Sequence, residues 1–357
     1  MNRARVFRMA AYAAAALLLT ALAAGGYVWV TAQRTLNAMY EPLPSAAWED
    51  PVFETEMETE ARPLDMKAEP TVEATAREGE GETEGKPAVP AQKGARTVGE
   101  ANVERLRNPS IADQEPFTML LLGVDERPWD RGRSDTMILL AVQPRSGQAL
   151  ALSIPRDTRV RMPNSGKYDK INHAYAFGGV ALSVKAVEQA FGVPISYYMK
   201  TNMEGLVGIV DSLGGVDVRN ERAFEYEGYS FPAGERHLNG EEALAYSRMR
   251  KEDPQGDFGR TQRQRQILSG AIDRLAGAGA VTKLPTLLSH LSKYVRTDLT
   301  PAEMLELVTE YRSSIRSVET MYLQGKGKII DGIYYYTITA EERQRIQSEM
   351  LQCLNGI

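Results

Sequence analysis

Apolar residues in this chain fall into short runs and helical stripes, divided by Gly, Pro and charged clusters. Phe117 to Val124 is an apolar run of strand length, and Thr136 to Val142 and Gln148 to Ile154 are two more. Gln143 to Gly147 between the last two supplies turn chemistry. Val180, Val184, Val187 and Phe191 share one helical face before the breakers Gly192 and Pro194. A strand is expected from Ile195 to Met199, a helix from Met203 to Leu213 and a short strand at 216–218. Helices are then expected from Gly240 to about Tyr246, Thr261 to Leu275, Leu284 to Tyr294, Pro301 to about Ser314 and Glu341 to Leu354. Strands at Val318 to Gln324 and Ile333 to Ile338 complete the pattern. Interleaved strands and helices predict an α/β fold, a central mixed sheet with helices on both faces.

Two regions upstream break this pattern. From Met9 to Val30 the chain is apolar and uncharged, long enough to cross a bilayer core, which needs about 20 such residues. Arg3, Arg5 and Arg8 precede it, so residues 1–8 are expected in the cytoplasm and everything after 30 outside. Ala21-Leu22-Ala23 also matches a signal-peptide cleavage site; the length of the run favours an uncleaved anchor at 9–30. Residues 31–114 are expected to be a disordered linker. Acidic alternation (Glu54, Glu56, Glu58, Glu60; Glu78, Glu80, Glu82, Glu84) and few large apolar residues leave too little to bury.

The working domain is therefore 115–357. The net charge of the chain is −5, but the linker carries much of the acid, so the domain is near neutral and its clustered arginines are local features. That argues against nucleic acid as a partner. With Cys353 the lone cysteine, no disulfide can form within the chain.

Candidate chemistry sits at the strand ends. Asp125 leaves the first strand and Asp135 enters the second, so one loop brings both carboxylates together. Such a pair, with phosphate oxygens from a ligand, suits Mg²⁺, or Mn²⁺ in its place. The plainer alternative is loop punctuation. Arg156 emerges in Ser153-Ile154-Pro155-Arg156-Asp157, at the edge where open α/β sheets bind ligands. In Tyr246-Ser247-Arg248-Met249-Arg250 an extended chain would point Arg248 and Arg250 the same way, two forks for one anion. Arg260 and Gln264 lie one helical turn apart, near a helix start whose free N–H groups favour phosphate. A solvated basic face is the alternative. His173, a lone histidine before a helix, reads as structural.

In order and spacing, GVD, RSDT, SIPRD, KINHAY with FGG, LGGVDV, LNGEEALAYSRMR and DFGRTQRQRQ resemble the LytR-CpsA-Psr family of cell-wall glycopolymer ligases, from Phe117 to about Ala276. The resemblance implies a phosphotransferase that moves an anionic glycopolymer from a polyprenyl-pyrophosphate carrier to a muramic-acid hydroxyl of peptidoglycan. Asp125 and Asp135 would hold Mg²⁺, and Arg156, Arg248, Arg250, Arg260 and Gln264 the pyrophosphate, with Arg133 and Lys170 contributing. Asp257 is the first candidate base and Asp157 the second, although a carboxylate among arginines is a weak base. The carrier tail needs an apolar tunnel, for which Val180, Val184, Val187, Phe191, Leu206, Ile209, Val210 and Leu213 are candidates; core packing accounts for most of them equally well. Rival readings are a pyrophosphate hydrolase using the same residues, a non-catalytic lipid-binding module and a transcriptional regulator. The last would need a basic helix-turn-helix, which the sequence lacks.

Overall fold

A computed structural model describes residues 30–44, 100–126, 130–250, 253–254, 257–276, 292–307 and 317–356. The helices are α1 (30–39), α2 (Glu100–Arg107), α3 (His173–Phe191), α4 (Met203–Leu213), α5 (Gly240–Arg248), α6 (Asp257–Ala276), α7 (292–294), α8 (Pro301–Glu306) and α9 (Ala340–Asn355). Strands β1 (Phe117–Val124), β2 (Ser134–Gln143), β3 (Gln148–Ser153), β6 (Tyr197–Asn202), β11 (Val295–Thr297) and β12 (Ser317–Tyr322) form one sheet, ordered β11-β6-β1-β2-β3-β12. Pairing is parallel for β1–β6 and β3–β12 and antiparallel for β1–β2, β2–β3 and β6–β11. The sheet is therefore mixed, and β1, β3, β6 and β12 all run toward the same edge.

The unbroken apolar character of β1 follows from burial on both faces. Leu120, Leu122 and Val124 enter a core with α3 and α9, whereas Phe117, Met119 and Leu121 enter another with α1 and α8. Beyond the carboxyl end of β6, α4, α5 and α6 pack with β7 (Val216–Asn220), β8 (Phe224–Tyr226), β9 (Tyr229–Phe231) and β10 (Gly234–Leu238) around a third core. Two small hairpins, β4–β5 (Arg159–Arg161, Tyr168–Lys170) and β13–β14 (Lys326–Ile330, Ile333–Thr337), complete the fold. Val180, Val184, Val187 and Phe191 are core residues beneath the sheet, as are Val210 and Leu213 in or beside the third core.

Three expectations need correction. The helix after the KINHAY segment begins earlier, at His173, and passes through a break at Gly178 and Gly179. Helix α6 starts at Asp257, which puts Arg260 in its first turn. The linker expected at 31–114 is folded onto the domain at both ends. Leu36 and Met39 of α1 are buried in the second core, and Glu41 N donates to Thr297 O at 2.8 Å. At the other end, Leu106 joins the α3–α9 core and Arg107 pairs with Glu188 at 3.3 Å, both side chains buried. Amphipathic stripes at the linker's ends find partners that acidity alone gave no reason to expect. The predicted span at 9–30 and the middle of the linker lie outside the described residues, apart from Val30; no described helix is long and apolar enough to cross a membrane.

The Arg107–Glu188 pair makes the docking of α2 testable. Burial pushes the Glu188 carboxyl up to about 7, against the pull of the Ile195 N–H and Arg107. Folded chains thus hold a proton there that unfolded chains release near the usual carboxylate range, so stability falls as pH rises through that window. Removing Arg107 moves the window higher. Arg107→Ala is expected to cost roughly 3–5 kcal/mol near pH 8.5 and less near pH 5, where Glu188 stays neutral. Urea unfolding at the two pH values measures the difference; equal, small losses would mean that α2 is not part of the fold.

Candidate functional site

The candidate residues gather where β1, β3 and β6 end and β2 begins. Val124 pairs with Ser134 across a bulge, and Asp125 N donates to Arg133 O at 3.0 Å, so Asp125 and Asp135 flank one irregular step of the β1–β2 ladder. Gly132 lies in the left-handed region (φ 68°), and a Cβ there would sit 1.9 Å from Asp125 O, so this turn needs glycine. Strand β6 runs parallel to β1 with Val124 opposite Asn202. A cleft of about 600 Å³ at this edge is lined by Asp125, Glu126, Asn202, Glu204, Arg248 and Lys293, among others.

Asp135 is the hub of a second group. Its Oδ2 accepts from Arg156 Nη1 at 2.7 Å, its Oδ1 from Asn172 Nδ2 at 3.4 Å, and its backbone oxygen from Arg260 Nη2 at 3.5 Å. Asp157 accepts from Lys170 Nζ at 2.7 Å and lies 3.9 Å from Arg156 Nε. The backbone holds this group firmly: Asn172 N donates to Arg156 O, Ile171 N to Thr158 O, and Tyr336 N to Asp157 O. Arg260 is buried, whereas Arg156, Asp157 and Lys170 keep about a fifth of their side-chain surface open. Gln264 is half-buried one turn beyond Arg260.

Arg248 and Arg250 do not follow the strand alternation expected of them, and of the two Arg248 lines the cleft. The helix continues through Arg248, Met249 is buried, and Arg250 is exposed. What shapes the bend is Arg263, which the sequence pattern did not single out. Its guanidinium is buried, donates to Tyr246 O at 3.0 Å and to Met249 O, and pairs with Asp253 at 2.6 Å. It lies 5.2 Å from the Phe224 ring. Asp253 in turn lies against Gly259, where a Cβ would stand 1.8 Å from the carboxylate, so the glycine of Asp257-Phe258-Gly259 is a packing requirement. Farther along α6, Arg265 stacks over Tyr322 at the end of β12, 4.5 Å from its centroid.

Not every candidate converges. Arg133 is exposed and joins the site through its carbonyl alone in the contacts above; Arg248 lies 3.8 Å from Glu227 of the β8–β9 hairpin. The side chain of Asp257 lies outside the described residues. His173 pairs with Asp169 at 3.0 Å and packs edge-on to Phe177, in keeping with a structural role. Tyr175 donates to Glu126 at 3.2 Å, and burial together with that carboxylate drives its phenol upward. Among the described residues no three His, Cys, Asp or Glu side chains cluster.

Comparison with known proteins agrees with this architecture. The LytR_cpsA_psr family model matches residues 85–352. The polyisoprenyl-teichoic acid–peptidoglycan teichoic acid transferase TagU of Bacillus licheniformis is 45% identical over 245 residues, 69% of this chain and 80% of the relative. The crystal structure of Bacillus subtilis TagU superposes with a TM-score of 0.55 at 41% identity, covering 67% of this chain and 97% of that one. A structure of TagT bound to LIIa-WTA gives 0.60 at 31% identity, covering 71% of this chain and 96% of that one.

Arg263→Ala should destabilise the domain by roughly 3–5 kcal/mol, because it removes the cation paired with a nearly buried Asp253 and the donor to two carbonyls. It should also lower any activity that needs Arg248 and Arg250, through loss of the bend. Calorimetry beside an activity assay tests this, and an unchanged melting temperature would remove Arg263 from that role.

Proposed function

The chain belongs to the LytR_cpsA_psr family, and from that premise we propose that it transfers an anionic glycopolymer from a polyprenyl-pyrophosphate carrier to a muramic-acid hydroxyl of peptidoglycan. The observation that carries the proposal is the gathering of Arg156, Lys170 and Arg260 with Asp135 beside the Asp125–Arg248 cleft, at one edge of a mixed sheet. The names of the TagU relatives supply the classes of donor and acceptor.

In the step, the acceptor hydroxyl oxygen attacks the phosphorus attached to the polymer. A phosphodiester forms, the bond to the bridging oxygen breaks, and polyprenyl phosphate departs. Phosphoryl transfer is governed by positioning and by charge stabilisation, so cations are the chief requirement. Arg156, Arg248, Arg250, Arg260 and Gln264, aided by Arg133 and Lys170, would hold the pyrophosphate oxygens. Asp125 and Asp135 offer two hard, half-open carboxylates at the two ends of one loop, a donor set that fits Mg²⁺ or Mn²⁺ whose remaining ligands would be waters and phosphate oxygens. When bound, that cation would offset charge on the pyrophosphate. The hydroxyl proton needs a destination. Asp157 is already tied to Lys170 at 2.7 Å, which favours a positioning role, so Asp257 at the first residue of α6 is the proposed base.

The apolar, uncharged residues 9–30 behind three arginines support a single membrane anchor with the domain extracytoplasmic, the side on which peptidoglycan lies. Arg248→Ala and Arg250→Ala should each lower transfer at least about tenfold, since each removes a charge-assisted contact of roughly 1.5–3 kcal/mol, with the melting temperature unchanged. Purified chain, lipid-pyrophosphate glycopolymer and peptidoglycan, followed by measurement of polymer in the wall fraction, tests this. Near-normal transfer by both variants would overturn the site. Equal release of free phosphorylated polymer with and without peptidoglycan would instead identify a hydrolase.

A further inference from the structure

Asn172 immediately precedes α3 with a helical backbone (φ −69°, ψ −17°), a conformation in which its side chain cannot cap the helix. Its Nδ2 is turned instead to Asp135 Oδ1 at 3.4 Å, the carboxylate oxygen that Arg156 does not take. The residue is 4% exposed, and its Oδ1 is buried without a partner. The reversed amide would set Oδ1 against a carboxylate oxygen, so the repulsion between acceptors fixes the orientation. A buried acceptor is thus left open beside a candidate cation ligand. An unmet buried acceptor calls for an explanation, and an ion or its bound water is one.

We propose that Asn172 is a positioning residue for a divalent cation bound with pyrophosphate. Its amide N–H keeps Asp135 aimed when that carboxylate turns from Arg156 to the cation, and its Oδ1 accepts a hydrogen bond from cation-bound water. Partners that orient a metal-bound carboxylate change affinity about 10- to 100-fold when removed. The inference rests on the divalent-cation reading given above.

The test compares two probes on the detergent-solubilised full chain: the Mn²⁺–inorganic pyrophosphate complex, followed by water-proton relaxation, and metal-free pyrophosphate in EDTA, followed by calorimetry. Wild type should favour the Mn²⁺ complex. Asn172→Ala should weaken that complex about tenfold or more and leave metal-free pyrophosphate within about twofold; a merely structural defect would weaken both together and overturn the proposal. If Asn172→Ala retains the wild-type preference, the proposal also fails and the cation reading stands. If wild type shows no preference, the cation reading fails and takes this inference with it. Should Asn172→Ala not fold, Asn172→Leu serves, because it keeps the volume and removes both the amide donor and acceptor. The same two probes apply, with the Mn²⁺ complex weakened about tenfold or more and metal-free pyrophosphate unchanged within about twofold; equal weakening of both or of neither would overturn the assignment.

Discussion

Like charges cannot be gathered at a sheet edge unless counter-charges are gathered with them. That constraint orders the whole face of this protein. Arg156 is held by Asp135, Lys170 by Asp157, Arg263 by Asp253, and Arg248 lies within reach of Glu227. The pairs differ in kind. Arg263–Asp253 is closed off, with both side chains about nine-tenths buried, and its work is to fold the chain between α5 and α6. The Arg156 and Lys170 pairs remain partly open to solvent, so an incoming anion can compete for the cations. Arg156 and Lys170 are thus held in place by carboxylates without being closed off from solvent.

The sheet delivers these groups because its strands are mixed. The antiparallel β1–β2 step brings Asp125 and Asp135 to the two sides of one bulge, while the parallel β1–β6 pairing aligns the end of β6 with them. Ligand sites at the carboxyl ends of strands are usual in open α/β sheets. Here α6 lies along that edge, from Arg260 near β2 to Arg265 over the end of β12.

Much of this was legible in sequence, for identifiable reasons. β1 and α4 have the bounds that apolar runs and glycine stops indicated, since burial and breakers are local signals. Asp125, Asp135 and Arg156 stand at strand ends, which pattern also reports. Contacts between segments far apart in sequence left no such trace. Arg263 looks like one more basic residue of a charged helix, yet its partners are 10 to 17 residues earlier and it is buried. Asn172 carries no signal of its own in sequence, and its carboxylate partner lies 37 residues away. The small strands β4, β5, β8, β9 and β10 are too short and too polar for alternation to reveal. The docked ends of the acidic segment were missed because composition averages over the few apolar residues that anchor them.

That last feature alters the mechanics of the molecule. Residues 30–44 and 100–114 both rest on the same body, through Glu41 at β11 and Arg107 on α3. The intervening acidic stretch is thus an excursion that leaves a domain and returns to it, and its contour adds nothing to the domain's range. The placement of residues 30–44 against the sheet is therefore set by contacts between folded elements, Leu36 and Met39 in the second core and Glu41 on Thr297.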